Sequence, residues 1–126
     1  LLSLSPGQTL AEVIKSITTQ IHEADSDTKK LNVLLTTWKL RLPMASAILS
    51  VLYPDRFTVY DYRSRQQLGI SKDYSASRPK AAIEGYSKFL QTVKAFAKVN
   101  GYTLRDADRH LFGASKAADM VTFLSR

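Results

Sequence analysis

The stretch Leu42–Gly69 reads LPMASAILSVLYPDRFTVYDYRSRQQLG. Its first part, Met44 to Tyr53, is apolar nearly all round, which predicts a central helix. Pro43 suits the first turn of that helix and disfavours α geometry at Leu42 before it. Pro54-Asp55-Arg56 then reads as a turn. Phe57 to Tyr60 favours extended backbone but is too short and solitary to build a sheet. Asp61 is placed to cap a fourth helix, Tyr62 to Leu68, and Gly69 is a natural stop. The order is buried helix, link, extended step and acid-capped helix. It sets one carboxylate among arginines.

Helical signals continue on both sides. Thr9 with Glu12 is a capping-box pattern. Leu10, Val13, Ile14, Ile17 and Ile21 follow at helical spacing, to about Ala24. Asp25-Ser26-Asp27 supplies the next cap, and a second helix is predicted over Thr28 to about Leu40. Downstream, Ile70 to Ser77 reads as a loop. A long helix covers Pro79 to Asn100, with Ala82, Tyr86, Phe89, Val93 and Phe96 as its core stripe and Gly101 as its end. Thr103 with Asp106 opens a short helix to Phe112, Gly113 to Ser115 turns the chain, and a last helix covers Lys116 to Leu124. The expected class is all-α, a single compact multi-helix domain over residues 1–126. The chain opens Leu1-Leu2 without a Met, which is expected of a piece with residues upstream.

No apolar run is long enough to span a bilayer, and no secretory signal pattern appears. Cysteine is absent, which excludes a disulfide scaffold and thiolate metal sites. These features are expected of a cytoplasmic protein. The net charge is +7, and Arg56 to Lys98 holds nine basic residues against Asp61, Asp73 and Glu84. Such a concentration fits a polyanion, nucleic acid before an anionic membrane, although charge also serves solubility. No P-loop, dinucleotide fingerprint or nucleophile elbow is present. His22 and His110 lack partners at metal-ligand spacing, so neither metal nor cofactor is expected.

On these residues the chain resembles the helix-hairpin-helix DNA glycosylases. Leu42-Pro43 and Ala45-Ser46-Ala47 look like the hairpin exit and buried helix, Val59-Tyr60-Asp61 like the extended step, and Leu68-Gly69 like the end of the following helix. The downstream Leu104-Arg105-Asp106-Ala107-Asp108 before Leu111-Phe112 is similar to uncharacterised bacterial proteins related to 8-oxoguanine glycosylases. The specific likeness covers Thr36 to Gly69. It implies a DNA-binding, glycosylase-like protein that, if an enzyme, is a monofunctional base-excision hydrolase using Asp61 and water. It implies duplex DNA as partner, with no membrane role. Departures are plain. The family's Gly-x-Gly hairpin is replaced by Lys39-Leu40-Arg41, and Ala45 falls near the lysine nucleophile of bifunctional members, so Schiff-base chemistry is not expected.

Asp61 is the catalytic candidate. A fixed anion stabilises the oxocarbenium-like sugar that forms as an N-glycosidic bond breaks, and a carboxylate can also orient the attacking water. Yet Asp is also among the best helix caps, which needs no chemistry. Lys39 and Arg41 occupy the position where the family grips DNA. Arg63 and Arg65 either contact phosphates or face water. Tyr60 and Tyr62 are candidates to stack on a flipped base, but aromatics beside a central helix also serve as core. Asp106 and Asp108 with Arg105 and Arg109 read as capping and surface pairs. Two other readings stand beside the first: a nucleic-acid binder without catalysis, and an operon-encoded interaction protein whose basic surface meets an acidic protein.

Overall fold

The computed structural model describes residues 9–124. Among the described residues six α-helices follow one another: α1 (Leu10–Glu23), α2 (Asp27–Asn32), α3 (Leu42–Leu52), α4 (Tyr62–Gln67), α5 (Pro79–Asn100) and α6 (Leu104–Leu124). No strand occurs among the described residues. α1 packs on α2, α2 on α3 and α5, and α6 lies across both α4 and α5. One core joins Val13, Ile17 and Ile21 of α1, Leu31 of α2, Leu42, Ala45 and Leu49 of α3, Phe89 and Val93 of α5 and Ala107 and Leu111 of α6. Each large apolar side chain so buried contributes about 1.5–3 kcal/mol before entropic costs.

The caps form where the sequence places them. The Thr9 hydroxyl accepts the Glu12 N–H at 3.2 Å, Ser26 accepts that of Lys29 at 3.2 Å, and Thr103 accepts that of Asp106 at 3.1 Å. Gly101 closes α5 in the left-handed region at φ 69°. The end of α1 is stapled from elsewhere. Lys30 is buried, and its ammonium donates to the Ala24 carbonyl at 2.8 Å and to the Ile21 carbonyl at 2.9 Å, which also accepts the Ala24 N–H at 3.2 Å.

Three expectations need correction. The second helix does not run as one α-helix to Leu40. α2 passes into a π-helical turn, Val33–Thr37, and stops. The Trp38 N–H bonds the Val33 carbonyl and the Leu40 N–H bonds that of Leu34, which winds the end wide and turns it back. The third helix is not central. Leu42, Ala45, Ser46 and Leu49 face the core, while Met44, Val51 and Leu52 are exposed. The last two predicted helices are one. Gly113 lies within α6. Glycine inside a helix costs only about 1 kcal/mol, and packing on α4 and α5 outweighs it.

Lys39 has φ 53°, a left-handed backbone on a side chain with no stake in it. That geometry costs an L-residue roughly 1 kcal/mol, and glycine removes the cost. Lys39→Gly is therefore expected to raise the unfolding free energy by about 0.5–1 kcal/mol, read from the urea midpoint. A loss of stability would show that the lysine side chain holds the turn.

Candidate functional site

The site is built from the turn before α3, the extended link after it, and the start of α6. Lys39 and Arg41 are both exposed on the turn. Arg41 precedes α3 as its cap residue, yet no side chain caps that end; Leu42, expected to stay out of the helix, is its first residue and Pro43 its second. Two cations thus flank a helix start whose first N–H groups have no side-chain acceptor.

The link Phe57 to Tyr60 has no sheet to satisfy its backbone, so side chains do it. The Tyr86 hydroxyl accepts the Thr58 N–H at 3.1 Å and donates to the Thr58 carbonyl at 2.8 Å. Burial pushes the Tyr86 phenol well above its ordinary pKa, which keeps the O–H available as donor and acceptor at once. The Ser46 hydroxyl accepts the Tyr60 N–H at 2.8 Å and donates to the Pro43 carbonyl at 3.0 Å. The link is therefore fixed to α3 on one side and α5 on the other.

Asp61 ends this clamped segment. It is half-buried, and one carboxylate oxygen accepts the Ser64 N–H at 2.7 Å, the cap bond expected of it. Among the described residues no ion pair engages Asp61. The two aromatics beside it diverge. Tyr60 is 1% exposed, its ring edge-on to Phe89 at 4.9 Å between centroids. Its hydroxyl accepts the Tyr74 N–H at 2.8 Å and donates to Asp73 at 3.3 Å. Burial raises its pKa as well. A ring so enclosed has no face for a base, so the stacking role considered for Tyr60 is withdrawn. Tyr62 is 57% exposed and keeps an open ring, with the Arg63 guanidinium 5.1 Å from its centroid.

Arg63 and Arg65 turn inward from the surface. Arg63 donates to Asp119 at 2.6 Å, fastening α4 to α6. Arg65 donates to the Ile70 and Ser71 carbonyls at 3.2 and 3.0 Å and lies 3.9 Å from Asp73. Hydrogen bonds from Ser75, and then Arg65, hold the Asp73 carboxyl below its ordinary pKa. Both arginines are thus committed to the fold, whereas Lys39 and Arg41 are not.

The structure adds a group that sequence reasoning placed on the surface. Asp108 lines a cavity of about 280 Å³ with Ser50, Val51, Phe57, Thr58, Arg105 and Arg109. Its carboxyl pKa is raised, first by burial and then by the negative charge of Asp61, so the two acids are electrostatic neighbours. Thr58 lies close enough to favour the ionised form. Even so, the Thr58 hydroxyl and one Asp108 oxygen are buried without a hydrogen bond of normal geometry. The missed signal was periodic: Leu104, Asp108 and Leu111 share one face of α6, and an acid on an apolar stripe is a reason to look. Among the described residues no group of three or more acidic or histidine side chains is placed to hold a metal ion. No helix among them is long and apolar enough to cross a membrane.

No protein-family model, no curated protein and no solved structure matches this chain.

Proposed function

We propose that the chain is a DNA-binding protein of helix-hairpin-helix glycosylase-like type, whose Asp61 supports hydrolysis of an N-glycosidic bond by water. One observation carries the reading. A carboxylate stands at the end of a rigidly clamped extended step, unpaired by any cation among the described residues, with a second carboxyl as its electrostatic neighbour. In the reaction the base leaves with the bonding electron pair. The sugar gains positive charge, and Asp61 opposes that charge while a water adds to the sugar carbon, its proton passing by way of the Asp61 carboxylate to the departing base. Ala45 is fully buried and has no amine, so no covalent sugar–lysine step belongs to this scheme. Lys39 and Arg41, beside the uncapped start of α3, supply the phosphate grip.

Asp61→Asn isolates the chemistry, because Asn caps a helix about as well as Asp. The variant is expected to keep its stability and to lose about 10²–10⁴-fold in rate of base release from lesion-bearing duplexes. The check is a time course of free base and abasic sites for both proteins. Equal release by both would remove Asp61 from the mechanism. No release by wild type from any lesion would leave the second reading, a binder without catalysis. Two observations favour that reading: the Asp61 oxygen already serves as a cap, and the hairpin has cations in place of a glycine nest.

A further inference from the structure

Arg105 and Arg109 stand one turn apart on α6, and both are exposed at the cavity that contains Asp108. Neither forms an ion pair among the described residues. Asp108 would be their natural local partner, three residues after one and next to the other. Its carboxyl is instead turned inward toward the buried Thr58, and Arg109 acts on it only through its charge. Two guanidinium groups at i and i+4 repel each other in the free protein. An anion between them removes that repulsion and gains charge-assisted hydrogen bonds from both. The contrast with α4 is sharp: the Arg63 and Arg65 side chains are 20% and 16% exposed and already bonded.

We infer that Arg105 and Arg109 form a second anion-binding lip and take a backbone phosphate of the strand that passes Asp61. The inference rests on the DNA-binding reading and changes its geometry. The grip comes from the α3 start and from α6 rather than from α4. Ser50 and Val51, at the end of α3, form the facing wall of the cavity.

The test is the salt dependence of binding to a short labelled duplex. Each phosphate contact contributes a slope of about −0.9 to log affinity against log salt. The double variant Arg105→Ala/Arg109→Ala is expected to flatten the wild-type slope by about 0.9, the one phosphate the pair holds. Arg105→Lys/Arg109→Lys should retain it. Lys15→Ala, an exposed cation on α1, should leave it unchanged. A double alanine variant that is helical by circular dichroism and keeps the wild-type slope overturns the inference alone. A wild type whose affinity is indifferent to salt overturns the DNA-binding reading, and the lip with it.

Discussion

Tyr86→Phe is expected to lower the unfolding free energy by about 3 kcal/mol, because it strips both backbone partners from a buried residue at once. Thr58 is 2% exposed. Its N–H and its carbonyl both end on the one hydroxyl, at 3.1 and 2.8 Å. Each buried group left without a partner costs about 1–3 kcal/mol, and no solvent reaches Thr58 unless the link opens. The ring is unchanged by the substitution. Phenylalanine keeps the stack on Phe57 at 6.4 Å and the contact with Phe89 at 6.3 Å, so the loss reports on oxygen, not on packing. A domain stability of about 5–15 kcal/mol makes this a large fraction, and the melting temperature should fall by about 10 °C. Thermal and urea unfolding with an unchanged denaturant slope check it. A loss under about 0.5 kcal/mol, well below that penalty, would mean that the link relaxes to other partners and that its clamp is not what fixes Asp61.

That clamp marks the border of what the sequence reveals. Thr9, Ser26, Asp61 and Thr103 act on N–H groups three residues away, and a bond so local is written in adjacent letters. α5 is equally plain, since its stripe of core residues repeats every turn and Gly101 stops it. The Tyr86 hydroxyl works across 28 residues and Arg63 across 56, and no spacing rule reports either. Local signals also mislead when a tertiary contact outbids them. Gly113 reads as a break, yet packing on α4 and α5 carries α6 through it. Lys39 fills a left-handed position that the sequence would assign to glycine. For the site the division is the same. Asp61 was visible because capping is local. Asp108 was not, because its neighbour Asp61 belongs to another element and only the fold brings the two acids together.

Gly85→Ala should also destabilise the protein, by about 2 kcal/mol, although alanine is the better helix former by about 1 kcal/mol. The reason is a ring. A Cβ built on Gly85 would lie 2.3 Å from Cγ and Cδ2 of Tyr74 and 2.6 Å from Cδ1. A ring flip about χ2 leaves Cγ where it is, so relief requires a change of the Tyr74 χ1 rotamer or a shift of its backbone. The backbone itself is tied, since the Tyr74 N–H donates to the Tyr60 hydroxyl at 2.8 Å and Tyr60 is locked in the core. Overpacking at such a site costs about 1–3 kcal/mol and sometimes more, which exceeds the propensity gain. The sign should invert once the ring is gone. In a Tyr74→Ala background, Gly85→Ala is expected to stabilise by about 1 kcal/mol, the helix propensity acting alone. A double-mutant cycle on the four proteins measures the coupling directly, with an expected magnitude of about 3 kcal/mol. Additive effects would show that the loop carrying Tyr74 moves aside at no cost. The link that presents Asp61 would then lack the support that Tyr60 draws from that loop.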